Sequence, residues 1–250
     1  MDDLAVALAL ADVADAITLR HFRSAGLAIR TKADRSLVTE ADTETETALR
    51  AYLAEHRPHD TVLGEEEGGV LGDRCWLLDP VDHTANFARG MPVFATLIAL
   101  AEDGRPTVGV VSAPAMGRRW WASRGGGAFG DGERLRVSTV DDLSDATLSI
   151  AALHRWDDRN LLPEIAALAR RARNTWGSGG FWSQMLVAEG RIDACLDPWG
   201  KPWDLAASKI IIEEAGGRLT DLTGAPRIDQ DCALATNTLL HPTLIRALDR

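Results

Sequence analysis

The sequence predicts an α+β chain built from stacked layers of helix and sheet. Apolar strands joined by tight turns fill the stretch up to about residue 140, strands and helices alternate from about residue 141 onward, and no linker or internal repeat separates the two. With 250 residues, 46% of them hydrophobic and 26% charged, a single domain has ample core. We therefore expect one domain over 1–250, with a meander-sheet half (about 1–140) and an α/β half (about 141–250).

In chain order, Val6, Leu10, Val13 and Ile17 recur at helical steps, so about Leu4 to Phe22 reads as helix. Arg30 to Ser36 reads as a polar loop. Thr39-Glu40-Ala41-Asp42 has capping-box character and opens a second helix to about Glu55. A first-turn Asp facing the helix dipole suffices to explain Asp42 alone. Thr61 to Leu63 is a short strand that delivers Gly64-Glu65-Glu66-Glu67-Gly68-Gly69 at its end. Three consecutive glutamates usually mark a solvated loop; their place directly after a buried strand makes that explanation less comfortable.

The stretch Trp76 to Phe87 organises the rest. Trp76-Leu77-Leu78 reads as a buried strand, and Pro80 is expected to end its hydrogen-bond ladder. Asp79 and Asp82 follow three residues apart. Carboxylates so close repel each other and lose hydration, and a hard divalent cation with oxygen ligands resolves both costs. Two caps, one at the strand end and one at the next helix, are the alternative. More carboxylates converging from elsewhere would decide between them.

Val93 to Leu100 and Thr107 to Ala113 read as strands joined by a hairpin at Glu102-Asp103-Gly104-Arg105, and Arg119 to Ala122 and Ala128-Phe129 extend the meander. Gly125-Gly126-Gly127 precedes no helix and has no following Lys-Ser/Thr, so it is a turn and not a phosphate loop. The second half follows as strand (Thr147 to Leu153), helix (Leu161 to Arg171), strand (Asn174 to Trp176) and helix (Phe181 to Glu189). A strand (Ile192 to Leu196) and a helix (Trp203 to Glu214) come next, then strands at Arg218 to Thr220 and Ala233 to Thr236 and a last helix from His241 to Leu248. Gly190 and Gly216-Gly217 supply the helix stops.

A formal net charge of −10 argues against nucleic acid as a partner, though not against a small phosphorylated one. No apolar run reaches the roughly 18–20 residues of a membrane span. The acidic Met1-Asp2-Asp3-Leu4 lacks the basic start of a signal peptide, and Cys75, Cys195 and Cys232 form no Cys-x-x-Cys pair. Both point to a reducing cytoplasm.

Asp204 stands at the entrance to a helix in Trp203-Asp204-Leu205-Ala206-Ala207, an ordinary place for an Asp by itself. Together with Leu37 to Asp42, Gly64-Glu65-Glu66, Trp76 to Phe87 and Glu213-Glu214-Ala215-Gly216-Gly217, it makes a series that resembles the inositol monophosphatase family in order and spacing across nearly the whole chain. The resemblance implies a layered αβαβα sandwich, a metal-dependent phosphomonoesterase, a homodimer, and Mg²⁺ as activator, with two or three ions per site and Mn²⁺ as a substitute. Carried over residue by residue, it implies that Glu65, Asp79 and the Val81 carbonyl hold one ion and that Asp79, Asp82 and Asp204 hold a second. Asp42 would reach a weaker third or orient a water. Thr84, with Glu65, would position the attacking water, and the backbone from His83 and Thr84 onward would meet the phosphate. Within the family, Leu8 to Asp12, Pro92 to Leu100, Val108 to Ala115 and Leu186 to Gly190 look most similar to histidinol-phosphate phosphatases. Histidinol phosphate is thus the first candidate substrate, ahead of a nucleoside, sugar or inositol phosphate, and a non-catalytic phosphate-binding member is the reading from another class.

Two departures from the family pattern matter. His83 stands where the family has Gly, either as a tolerated substitution in a slower enzyme or as a donor to phosphate or general acid. Gly180 stands where histidinol-phosphatase relatives carry an Asp, and Asp197 replaces a longer Glu. We take Gly179, Gly180, Trp182 and Asp197 as the substrate-reading positions. Trp176, Trp182 and Trp199 either pack the core or form one flat aromatic wall beside them.

Overall fold

A computed structural model describes residues 1–248. The first half opens with α1 (Asp3–His21), a ribbon of β1 (Ile29–Thr31) and β2 (Leu37–Thr39), and α2 (Glu40–His56). Then come β3 (Thr61–Gly64), β4 (Gly68–Gly69), β5 (Arg74–Asp82), the short α3 (Thr84–Ala88), β6 (Ala95–Glu102), β7 (Arg105–Ala113), β8 (Arg118–Ser123), β9 (Gly127–Gly130) and β10 (Glu133–Arg134). The remainder supplies β11 (Thr147–Ile150), α4 (Leu153–Asp158), α5 (Leu162–Arg171), β12 (Asn174–Trp176), α6 (Gly180–Ala188), β13 (Ala194–Asp197), α7 (Pro202–Glu214), β14 (Gly217–Thr220), β15 (Ala233–Asn237) and α8 (His241–Leu248).

Two sheets carry the architecture. One has eight strands in the order β10-β9-β8-β7-β6-β5-β3-β4, antiparallel except where β3 runs parallel to β5. The other has five, β12-β11-β13-β15-β14, with β11 parallel to both its neighbours. Strand side chains alternate faces, and the alternation sorts the core into layers. Trp76, Leu78, Ile98, Leu100 and Val110 meet Val6, Leu10, Leu49 and Leu53 of α1 and α2 on one face. Leu77, Leu97, Ala99 and Val111 meet Phe181, Met185, Leu205, Ile210 and Ile211 of α6 and α7 on the other. The far face of the second sheet packs Leu148, Leu196 and Leu234 on Trp156, Ile165, Leu168 and Leu244 of α4, α5 and α8. The order is α1/α2, sheet, α6/α7, sheet, α4/α5/α8, the expected αβαβα sandwich. Burial on both faces is why the large sheet's central strands read as continuous apolar runs.

Three expectations are corrected. Arg30 to Ser36 are not a plain polar loop, because β1 and β2 pair antiparallel and bring Lys32 over the end of β3. Pro80 does not end β5. The strand runs on to Asp82, and the loss of the Pro80 N–H is absorbed by an irregularity in the β5–β6 pairing between Asp79 and Asp82. The strand at Thr147 stops at Ile150, where Ala152 turns left-handed and α4 begins, a helix the periodicity did not reveal. Among the described residues, no helix is long and apolar enough to cross a membrane.

Candidate active site

The parallel pairing of β3 with β5 builds the centre. Gly64 lies opposite Leu78, and the Glu65 N–H donates to the Leu78 carbonyl at 3.1 Å, so Glu65 comes out alongside Asp79. Gly64 has to be glycine, since a Cβ there would lie 2.0 Å from Glu46 Oε1. Glu46 is fully buried on α2, receives Arg50 at 2.7 Å, and accepts the N–H groups of Glu66 (2.7 Å) and Glu67 (3.1 Å). It is the residue that shapes the acidic loop. Its place on the Asp42, Thr45, Glu46, Leu49, Leu53 face of α2 was the available signal, and the sequence reading missed it.

Three helix N-termini close in around this point. Asp42 caps α2, accepting the Thr39 N–H at 2.8 Å and its hydroxyl at 2.6 Å, and its other oxygen receives Thr84 Oγ1 at 3.1 Å. Asp204 does the same in α7, accepting the Lys201 N–H at 2.9 Å. Asp82 accepts the His83 N–H at 2.9 Å and, from the start of α6, the Phe181 N–H at 3.2 Å. The helix-cap explanation is therefore true of Asp42 and Asp204 without exhausting them.

Electrostatics shows what the caps leave over. Asp79 is 1% exposed, and burial, then the charges of Glu65, Asp82, Asp204 and Asp42, push its carboxyl well above the usual range. Burial and the charges of Asp82 and Glu65 push Asp204 well above it too, against a smaller opposing pull from Lys201. Burial raises Glu65, with Lys32 opposing and Asp42 and Asp82 adding to the rise. Asp42 is likewise raised by burial. Asp79 Oδ1 accepts the Val81 N–H at 3.0 Å, while among the described residues nothing donates to Asp79 Oδ2, Asp204 Oδ1 or Glu65 Oε2. Mutually repelling, partly unpartnered carboxylates form a hard oxygen donor set, and its chemistry fits divalent cations.

The carboxylates are not gathered around one point. Among the described residues, no three His, Cys, Asp or Glu side chains stand together around one metal position. Glu65 is turned to Lys32 Nζ at 2.9 Å, and the Val81 carbonyl receives Thr84 Oγ1 at 2.9 Å. Lys32, Glu65 and Glu66 line a cleft of about 390 Å³ that opens from this point.

The substrate-reading expectations fare less evenly. Asp197 is turned inward. It is 1% exposed, with Oδ1 taken by the Gly180 N–H (3.1 Å) and Oδ2 by Gln184 Nε2 (2.9 Å) and Cys195 Sγ (3.3 Å). One methylene shorter than Glu, it reaches back to anchor the Gly179–Gly180 turn instead. The tryptophans form no common wall. Trp182 packs on Trp120 at 6.0 Å between ring centres, Trp199 lies beside Gly179 under the Arg155 guanidinium, and Trp176 is 49% exposed beside Ile150, Leu153 and Leu162. His83 takes a left-handed backbone (φ 66°) at the entrance to α3, the conformation that glycine adopts most easily. Its ring rests against Gly180, so the two positions noted separately in the sequence are in contact.

Comparison with known proteins agrees with the layered fold. The model of the inositol monophosphatase family matches residues 2–250. A histidinol-phosphatase of Mycobacterium tuberculosis is 48% identical, over 99% of this chain and 98% of that protein. One from Streptomyces coelicolor is 44% identical, over 100% and 98%. Among solved structures, the Thermotoga maritima inositol monophosphatase superposes with a TM-score of 0.89 at 30% identity, over 99% of this chain and 97% of the other. The chain belongs to the inositol monophosphatase family and is a phosphoric monoester hydrolase of that generally metal-dependent group.

Proposed function

We propose that this protein hydrolyses histidinol phosphate to histidinol and inorganic phosphate, with Mg²⁺ as its activating cation. The observation that carries the substrate is the agreement of two histidinol-phosphatases at 48% and 44% identity along essentially the whole chain, against 30% for an inositol monophosphatase of the same fold. For the metal, the support is the set of buried, mutually repelling carboxylates with oxygens left unpartnered.

Glu65, Asp79, Asp82, Asp204 and the Val81 carbonyl would hold two ions, and Asp42 a weaker third. Bound divalent cations would neutralise the carboxylates and polarise the phosphoryl group toward attack by water. The chain's own task is positioning. Thr84 Oγ1 lies 3.1 Å from Asp42 Oδ1 and 2.9 Å from the Val81 carbonyl, and its single hydrogen serves one of them at a time. Its lone pairs and the Glu65 carboxylate are then available to orient a water against the phosphorus. His83 and Thr84 place their backbone at the phosphate. Gly179 and Gly180, with Trp182 behind them, bound the side on which the alcohol part would lie. A homodimer and a cytoplasmic location complete the reading; sedimentation tests the first.

The deciding experiment compares kcat/KM for histidinol, inositol, sugar and nucleotide phosphates with Mg²⁺ present. Histidinol phosphate should lead. A value more than about a hundredfold below the best ester, or roughly 2.7 kcal/mol, would overturn it. No phosphate release from any ester with Mg²⁺ or Mn²⁺ would favour the non-catalytic reading.

A further inference from the structure

Gly180 and His83 share one volume. Gly180 sits at φ +58°, and a Cβ built there would lie 2.2 Å from His83 Nε2, 3.1 Å from Cδ2 and 3.2 Å from Cε1. The imidazole fills the space that any side chain at 180 would need. It is held on two other sides as well. Phe181 meets the ring edge-on, 5.4 Å between centres at 70°, and Asn86 Nδ2 lies 3.1 Å from Nδ1.

The Asn86 contact fixes the tautomer. Asn86 Nδ2 also lies 2.9 Å from the Val93 carbonyl, which can only accept, so this atom is the amide nitrogen and both of its hydrogens are in use. His83 Nδ1 therefore accepts, and the ring carries its hydrogen on Nε2. Among the described residues nothing accepts from Nε2. Nε2 faces Gly180 at the start of α6, beside the turn that Asp197 anchors.

We propose that His83 is a specificity-determining residue whose Nε2–H donates to an acceptor atom on the alcohol part of the phosphomonoester, and that position 180 is glycine to leave room for that imidazole. This rests on the phosphomonoesterase reading of the neighbouring carboxylates. A donor already held in place by Asn86 and Phe181 loses little freedom when substrate arrives, so its hydrogen bond goes largely into discrimination. An imidazole nitrogen or a hydroxyl on the alcohol would satisfy it. A bare aromatic or alkyl alcohol would leave it unpaired.

The test is the ratio of kcat/KM for histidinol phosphate to kcat/KM for phenyl phosphate, whose alcohol part offers no such acceptor. It is measured for the wild type, His83→Gly, Gly180→Ala and the double variant, with melting temperatures to report folding. The wild-type ratio should fall tenfold or more in His83→Gly, the scale of one hydrogen bond. Gly180→Ala should lower it comparably by displacing the ring, and should lower it no further once His83 is gone. Backbone strain from a Cβ at positive φ is common to both backgrounds and cancels in that cycle. A ratio changing less than threefold in His83→Gly would overturn the proposal, since loss on both esters together means His83 serves the phosphate or only the backbone. An equal effect of Gly180→Ala with and without His83 would also overturn it. Should the wild type prefer another acceptor-bearing ester, that ester replaces histidinol phosphate in the ratio, so failure of the histidinol phosphate reading leaves this test intact.

Discussion

Lys32 Nζ stands 2.9 Å from Glu65 Oε1 and 2.7 Å from Glu66 Oε1, so a single ammonium from the β1–β2 ribbon faces the acidic loop that β3 delivers beside Asp79. Burial pushes Glu66 up to about 7 even with Lys32 opposing it. Lys32 thus partly compensates the charge of this loop, and under the proposed metal assignment it would compete with cations for Glu65. In Lys32→Met, the metal-free protein should lose about 1–2 kcal/mol, because two partly buried carboxylates are left unpaired. Its apparent affinity for Mg²⁺ should rise. Calorimetric titration with Mg²⁺ checks the second point, and weaker binding than wild type would contradict the competition.

Burial and its charged neighbours push the Asp79 carboxyl well above the usual range. Asp79→Asn should lower kcat by about 10³-fold, as loss of a central electrostatic element does. In EDTA its melting temperature should equal or exceed that of the wild type, because a repelling buried charge is gone. Mg²⁺ should no longer raise that temperature. An Asn variant that keeps the full Mg²⁺-induced rise would remove Asp79 from the ligand set.

Thr84 is tied to both Asp42 and Val81 through one hydroxyl. Thr84→Val should cost about 10²-fold in kcat with KM little changed, on the scale of a positioned proton-handling group, and Thr84→Ser should recover most of it. Single-turnover measurements at saturating substrate separate this from a binding defect. Equal loss in the Ser and Val variants would point to packing instead.

Asp197 accepts from Gly180, Gln184 and Cys195 in a fully buried setting. Asp197→Ala should destabilise the protein by about 2–3 kcal/mol by leaving those donors unsatisfied. Urea denaturation reads this directly. A stability loss under 0.5 kcal/mol would return Asp197 to the substrate side of the account.

His241 gives a pH dependence distant from the carboxylates. It is 4% exposed and lies 2.9 Å from Thr236 Oγ1 and 3.3 Å from Thr220 Oγ1. Burial, then the charges of Arg218 and Lys209, hold its pKa below 6.5. The unfolded chain then binds the proton more readily, so the stabilisation is present above about pH 6.5 and is lost as the pH falls through the lower folded value. Wild type should lose more melting temperature between pH 7.5 and 5.5 than His241→Asn does. Parallel curves would exclude this group.

Much of the site was readable because strand ends and helix caps announce themselves in short motifs. Trp76 to Asp82, Thr39 to Asp42 and Trp203 to Ala207 each carry a local pattern, and the order in which they occur supplied the family. Lys32, Glu46 and Gln184 carry no such pattern. Each acts through a partner distant along the chain or through a backbone N–H whose direction is set elsewhere, so a motif reading passes over them.

The sequence by itself determined the layered fold, the carboxylate set and the class of chemistry, because apolar periodicity, turn residues and caps are local and additive. Only the tertiary structure decided how the oxygens are shared. Asp197 turned inward and Trp182 turned to Trp120 because packing across the α6/α7 layer offered them partners there. His83 and Gly180, nearly a hundred residues apart, became one feature because two chain segments compete for a single volume, and excluded volume is a property of the fold.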